Sequence, residues 1–421
     1  MSVALHRPRP EDPGAHPAPS DLVVVGAGAM GGWSAWFARA GGAGPDGRGG
    51  GGRSVTLLDA WGPGNPRASS GDETRIIRSS HGTDRLYARW SRRALELWKR
   101  HAEAWGVELF LPSGVLWLAH GATGWEADSA AALTELGVPH ERLAPEEAAR
   151  RWPQIRTDDL DHLLWEPEAG ALRARDACLA VAAAVQRAGG RYAVASVRPG
   201  RSAGGRLLDV VDGEGRRWAG ESFLFAAGPW LPRLFPELLG DAIRATRQEV
   251  LFFGPEAGDR RFHWGSLPAW CDVHDAIYGV GATDAWGMKI ASDRYGPSFD
   301  PTDGERVVTR EGIAEVRTYL AHRFPDLARA PLAGSRVCQY ETTIDGHFLL
   351  ARHPEWENVW LAGGGSGHGF KHGPRIGEHL VLRMDGAPEA EGEERFRIGP
   401  RTPGAAPRGG GDLPAAEPPT R

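Results

Sequence analysis

The chain has 421 residues, a formal net charge of −5 and three cysteines. That length calls for two domains with their own cores, and a slightly acidic balance gives no support for a nucleic-acid or anionic-membrane partner. No run approaches 18 consecutive apolar residues, so no spanning helix is expected, and Cys178, Cys271 and Cys338 are too few for a disulfide framework.

Residues 1–20 are rich in Pro and His and lack an apolar signal core, so a disordered tail and a cytoplasmic location are expected. Leu22 to Val25 reads as a strand that runs into Gly26-x-Gly28-x-x-Gly31 and a helix from Met30 to Ala40. The first glycine permits a tight turn, the second lets a pyrophosphate reach backbone N–H groups, and the third allows close helix packing. Gly41 to Arg53 holds eight glycines, a surface insertion before the next strand, Ser54 to Asp59. Asp59 ends that strand 28 residues past Gly31 and is the candidate partner for the ribose hydroxyls of a dinucleotide. Helices are expected from Leu86 through Trp90 to Trp98 and from Asp176 to Ala188.

Phe223 to Gly228 reads as a strand ending in the small residues Ala226, Ala227 and Gly228, where a cofactor can approach backbone. Glu249 to Gly254 and the stretch around Ile277 to Val280 read as strands of another sheet. Near the end of the chain, Asn358 to Ala362 leads into the turn Gly363-Gly364-Gly365-Ser366-Gly367-His368-Gly369-Phe370-Lys371 and then a helix. Two glycine turns at opposite ends of the chain point to one long cofactor held at both extremities. Residues 387–421 lack apolar periodicity and are expected to be a second disordered tail.

No metal is expected. Cys271-x-x-His274 has no second ligand pair nearby, and His368 and His372 stand four apart in a glycine-rich turn with no carboxylate in register. Cys178 fits a small buried core residue.

Three ordered motifs narrow the reading. They are Arg67-Ala68-Ser69-Ser70-Gly71-Asp72-Glu73-Thr74-Arg75-Ile76-Ile77-Arg78, Cys338-x-Tyr340-x-x-Thr343-x-Asp345-x-x-Phe348 and Gly367-His368-Gly369-Phe370-Lys371. With the N-terminal glycine turn, they resemble the monomeric sarcosine oxidase and N-methyltryptophan oxidase family of FAD-dependent amine oxidases, in the D-amino acid oxidase superfamily, over roughly residues 21 to 400. The resemblance implies an α/β fold: a two-domain flavoprotein with a Rossmann-like FAD-binding domain and a substrate domain built on a mixed β-sheet. The expected cofactor domain is discontinuous, 21–105, 160–230 and 335–386, with a substrate domain of 106–159 and 231–334.

The resemblance also implies roles. FAD would be joined through sulfur to Cys338, with Gly26, Gly28, Met30, Gly31, Asp59, Val197, Ala227, Gly228 and Trp230 along its dinucleotide part. Ser70, Thr74, Arg75, Gly365, Gly367, His368, Gly369, Phe370 and Lys371 would surround its ring. Arg78 and Lys371 correspond to residues that bind the substrate carboxylate, Tyr278 and Tyr340 to cavity walls, and Lys289 to the lysine that assists oxygen reduction. Trp117, Trp230, Trp270 and Trp286 lie in segments that could border the cavity. Where sarcosine oxidases carry a histidine four residues after that lysine, this chain has Asp293. An anion there suits a cationic or N–H-bearing ring nitrogen, unless Asp293 is a turn residue paired with Arg294.

The expected activity is oxidation of a secondary amino acid of the N-methyl kind, with O2 as acceptor and H2O2 as product, by a chain that acts as a monomer. The alternatives are a cyclic imino acid oxidase, favoured by Asp293, and a flavin dehydrogenase with another acceptor, for which Lys289 would be unnecessary.

Overall fold

The computed structural model describes residues 7–11, 17–41, 52–240 and 242–402. The elements that build the site are, in chain order, β1 (Ser20–Val25), α1 (Ala29–Ala40), β2 (Val55–Asp59), β3 (Thr74–Ile77), α2 (Arg85–Trp105), β4 (Arg217–Phe225), β5 (Met288–Ser292), β6 (Leu332–Thr342), β7 (Val359–Gly363) and α3 (Gly373–Met384).

Leu22, Val23, Val24 and Val25 are all buried, because β1 lies among the parallel central strands of an eight-stranded sheet that also contains antiparallel pairs. It pairs with β2 on one side and β4 on the other, so that Val23 stands opposite both Thr56 and Phe223. Such a strand needs apolar residues on both faces, which explains its unbroken run of them. β4 also pairs in parallel with β7, and β2 with Arg191–Val194. The parallel strands therefore end along one edge, where Gly26, Asp59, Ala226 and Gly364 follow or finish them. That edge is where ligands bind in open α/β sheets.

Helix α1 is wedged behind this edge. Its Trp33 meets Trp98 edge-on at 5.0 Å and stacks on Trp105 at 5.4 Å, both from α2. Helix α3 crosses α1 so closely that a Cβ on Gly377 would lie 2.6 Å from the backbone of Trp33. Several of the tryptophans are thus spent on clamping the two helices that deliver the glycine turns.

A second sheet runs β6, Arg244–Phe253, β5, Ile277–Val280, Ala269–Asp272, Val115–Ala119, His162–Glu166 and Glu141–Leu143. It is mixed, since Ala269–Asp272 and Val115–Ala119 pair in parallel while the other neighbours are antiparallel. Two expected boundaries are corrected here. The strand His162–Glu166 and the Cys338 strand β6 belong to this sheet, although 160–230 and 335–386 were assigned to the cofactor domain. The reason is pairing: β6 lies against Arg244–Phe253 from Thr342 opposite Arg244 to Leu332 opposite Phe253, and the chain leaves the sheet only after that.

Parts of both expected tails also pack. In the first, the Gln186 side chain accepts from the Arg9 N–H (2.9 Å) and donates to its carbonyl (2.7 Å), and the Glu11 N–H donates to the Tyr192 carbonyl (2.8 Å). In the second, a short 3-10 turn, Glu393–Phe396, buries Phe396 against Trp90 (5.0 Å) and Phe348 (5.9 Å). Arg395 pairs with Asp84 (2.5 Å) and Arg401 with Asp345 (2.8 Å). One aromatic anchor and two arginines dock a segment whose composition carries no periodic signal. Residues 1–6, 12–16 and 403–421 of the tails, and 42–51 of the glycine insertion, lie outside the described residues. No helix among the described residues is long and apolar enough to cross a membrane.

If Phe396 anchors this segment, Phe396→Ala should destabilise the protein by about 3–5 kcal/mol, as for other buried Phe truncations. Urea denaturation of the full chain checks it, and a loss under about 1 kcal/mol would mean that the segment is dispensable.

Candidate active site

A cleft with about 1300 Å³ of empty space, partly open to solvent, runs along the edge where the parallel strands end. Of the expected cofactor residues, Gly26, Gly28, Met30, Asp59, Ser70, Arg75, Val197, Ala227, Gly228, Trp230, Gly365, Gly367, Gly369 and Phe370 line it. Gly31 does not: its place is steric, since a Cβ there would lie 1.9 Å from the Gly26 carbonyl oxygen. Gly26 itself has φ of 111° and faces the Ala226 carbonyl, so a side chain there would collide as well. Gly28 is the N-cap of α1 and lines the cleft, and the Ala29 N–H at the start of that helix donates to Ser70 Oγ (3.1 Å). Asp59 stands at the far end, and its oxygens accept from the N–H groups of Ala27 (2.8 Å), Trp61 (2.9 Å) and Gly62 (2.7 Å). The turn is therefore held by the same carboxylate expected to meet the ribose. Burial pushes that carboxyl above its ordinary pKa.

A second cavity of about 730 Å³ adjoins the other end. Both spaces share Arg75, Tyr340, Gly367 and Phe370, so they lie side by side. Arg78, Lys371, Tyr278, Tyr340, Asp293 and His368 all line it, together with Trp117 and Cys271. The Arg78 guanidinium lies over the rings of Trp117 (5.3 Å) and Trp125 (5.8 Å), which hold it flat. Lys371 is buried and donates to the His368 carbonyl (2.9 Å), and burial followed by the Arg78 charge pulls its pKa well down. Asp293 is not paired with Arg294: it accepts from the Tyr340 hydroxyl (2.8 Å), while Arg294 reaches the Asp275 carbonyl (3.0 Å). Of the other tryptophans considered, Trp270 packs on Phe324 and Trp286 on Phe252, away from both spaces.

Lys289, Thr74 and Cys338 line neither space and stand behind the wall. Lys289 comes from β5 of the second sheet and is ion-paired with Asp72, and it also donates to the Thr74 carbonyl (2.8 Å). Asp72 is fully buried and pairs with Arg75 too. Burial pushes the Asp72 carboxyl up, but Lys289 and Arg75 outweigh it and hold it well below the usual carboxylate range. Burial pulls the Lys289 ammonium down to about 8, against the attraction of Asp72, so it stays charged at neutral pH. Cys338 lies behind Arg75, whose Nη2 is 3.6 Å from its Sγ.

Three kinds of residue escape a sequence reading. Asp72 sits inside a quoted motif, but its partner is 217 positions away. Glu341 also sits inside one, and its side chain lines the cofactor cleft. His81 joins His368 and His372 in a buried group whose ring nitrogens lie within 4.8 Å of one another. Sequence spacing offered only the last two. The nearby Arg78 guanidinium opposes a cation there, and burial, followed by the Arg78 charge for His81 and by the Lys371 charge for His372, holds both well below pH 6.5, as neutral imidazoles.

Comparison with known proteins gives three kinds of match. The DAO family model, described as FAD dependent oxidoreductase, matches residues 21–383. Among curated relatives, the monomeric sarcosine oxidase of Bacillus sp. (strain B-0618) is 28% identical over 370 residues, covering 86% of this chain and 90% of that protein. The monomeric sarcosine oxidase of Streptomyces avermitilis is 29% identical over 368 residues, covering 85% and 91%. Among solved structures, L-proline dehydrogenase from P. horikoshii superposes with a TM-score of 0.77 at 21% identity, over 90% of this chain and 97% of that one, which shows a shared fold.

The neutral histidines have a consequence for stability. In the unfolded chain His372 takes up a proton near pH 6.5, whereas in the fold it does not, so it lowers stability as pH falls through 6.5. Against the wild type, His372→Phe should therefore gain stability on acidification, approaching about 1.4 kcal/mol per pH unit below pH 6. Denaturation curves of both proteins between pH 8 and pH 5 check the sign; a constant difference across that range would show that His372 carries no depressed pKa.

Proposed function

This chain belongs to the DAO family of FAD-dependent oxidoreductases, and on that premise we propose that it is an oxidase of secondary amino acids. The residues present suit the cofactor: a glycine turn at a helix N-terminus for the pyrophosphate, Asp59 beyond it for the ribose, and a long cleft floored by Gly365, Gly367 and Gly369. FAD, when bound, supplies the group that accepts a hydride from the carbon beside the substrate nitrogen and passes the electrons to O2, giving H2O2.

One observation carries the substrate class. Arg78 and Lys371, far apart in sequence, are both buried and line a single cavity that adjoins the cofactor cleft. A guanidinium binds a carboxylate through parallel hydrogen bonds and an ammonium adds a point charge, so the pair would fix the acid end of an amino acid. With that end fixed, the nitrogen and the carbon to be oxidised are directed to the side shared with the cleft, where Tyr340 and Phe370 stand. Lys289, charged because Asp72 compensates its burial, holds a cation behind the wall, where it favours the anion formed as oxygen takes up electrons. For an N-methyl amino acid the products would be formaldehyde, the demethylated amino acid and H2O2.

Asp293 favours a second reading. Its carboxylate faces the cavity and holds the Tyr340 hydroxyl, which suits a cationic nitrogen in a ring as well as one bearing a methyl group. Screening N-methyl and cyclic amino acids for peroxide release under air separates the two readings, and absence of peroxide with substrates that reduce the enzyme would assign it to the dehydrogenases instead.

Arg78→Ala and Lys371→Ala should each weaken binding of simple carboxylate inhibitors by roughly ten- to a hundredfold, the cost of losing a charge-assisted hydrogen bond of about 1.5–3 kcal/mol. Titration of inhibitor against the flavin spectrum measures it; unchanged affinities in both variants would replace the amino acid with a neutral amine as substrate.

The family resemblance also leads us to propose that FAD is attached through Cys338, whose Sγ stands behind Arg75 (3.6 Å), so that the Arg75 side chain would have to move aside for the bond to form. Acid precipitation of the loaded enzyme should carry the yellow colour into the pellet, and Cys338→Ser should release it. Colour wholly in the supernatant of the wild type removes the covalent bond from the account.

A further inference from the structure

We propose that Glu341 is a binding residue for the cofactor, gripping the hydroxyl-bearing chain between the pyrophosphate and the ring. This rests on FAD as the cofactor, and the residue deepens that reading with a contact that the motifs do not supply.

Residues 340 and 341 are neighbours in β6 and point to opposite sides of it. Tyr340 reaches Asp293 in the substrate cavity, while Glu341 turns toward the glycines that follow β4 and β7. A Cβ on Gly228 would lie 2.6 Å from Glu341 Oε2, and one on Gly365 would lie 3.1 Å from Oε1. Both glycines therefore make room for a carboxyl as well as for the cofactor. Oε1 accepts a long bond from the Gly365 N–H (3.4 Å), and Oε2 is buried with no partner among the described residues.

The two buried acids of this region are treated differently by the fold. Asp72 has Lys289 and Arg75 against it. Glu341 has burial and the Gly365 N–H acting on it and no cation, and burial pushes its pKa up to about 7. A buried carboxyl with an open oxygen is costly unless something in the cleft meets it. Its place along the cleft limits what that can be. Asp59 and the start of α1 mark the end suited to the adenosine and pyrophosphate, and Arg75 and Tyr340 the end that adjoins the substrate cavity. Between them lies the polyol segment, whose hydroxyls donate to a carboxylate and accept from a carboxylic acid. A phosphate would repel the ionised form, and the ring end already has Arg75 beside it.

The test uses the full-length Cys338→Ser protein freed of flavin, so that affinity can be read as a Kd from flavin fluorescence. Glu341→Leu should bind FAD about three- to tenfold more weakly, the usual weight of one hydrogen bond. It should bind an FAD analogue lacking the chain hydroxyls as well as the Cys338→Ser parent does, while Glu341→Gln, which still donates and accepts, stays close to the parent with both. Equal FAD affinity in parent and Glu341→Leu overturns the proposal, and so does an equal loss with both cofactors, which would move the contact to the phosphates or ring. If the parent binds neither FAD nor the analogue, it is the cofactor reading that fails, a result distinct from either.

Discussion

Everything at the reactive end of this molecule leans on one carboxylate that water does not reach. Asp72 has Lys289 from the second sheet on one side and, on the other, Arg75 from β3, a strand of a small separate sheet with Gly170–Arg173 and Phe110–Leu111. Arg336 of β6 stands 4.0 Å away and is engaged with Glu73 (2.9 Å). Burying a lone charge costs several kcal/mol, so each member of such a group needs the others in place. The cofactor-side strand and the two strands of the second sheet are therefore fixed relative to one another by charge as well as by packing. The balance is also informative: one anion against two cations leaves a net positive charge behind the wall at the ring end. A site that must accept electrons is served by a positive surround that no solvent reorganises.

The same economy shows in β6. Strand alternation sends Tyr340 to the substrate cavity and Glu341 to the cofactor cleft, and Cys338 to the hydrophobic layer behind Arg75. One strand thus serves both spaces, which explains why it belongs to the second sheet although its motif was read with the first. The expected boundary at 335 followed the motif, while the chain follows the hydrogen-bond ladder, and the ladder ends at Thr342.

What was legible in the sequence is what repeats locally. The strand Val55–Asp59, the helix at Ala29–Ala40 and the turn at Gly364–Gly369 each carry their signal within a few residues, and so did the residues that the motifs place along the cleft. The rest depends on distant partners. Asp72 and Lys289 are 217 positions apart, His81 joins His368 from the other end of the chain, and Glu341 acquires meaning only opposite Gly228 and Gly365. The docked segment before Thr402 was missed for another reason: a single phenylalanine in a Pro, Gly and Glu background has no period to detect, yet one aromatic in an apolar recess is enough to hold it.

The fold by itself does not choose the reaction. A chain that superposes on L-proline dehydrogenase over most of its length is also similar in sequence to monomeric sarcosine oxidases, so acceptor and substrate have to be argued from side chains. On the proposed reading the acceptor follows from Lys289. A lysine with its pKa drawn to about 8 is kept charged at neutral pH by Asp72, and a buried cation retained at that cost is useful chiefly where negative charge develops. The substrate follows from the cavity, which combines the Arg78 guanidinium and the Lys371 amine for an acid with an aspartate held by a tyrosine for an amine. Groups suited to an acid and to an amine border one cavity, so a zwitterion meets both at once, whereas a simple amine or a simple acid would meet only one of them.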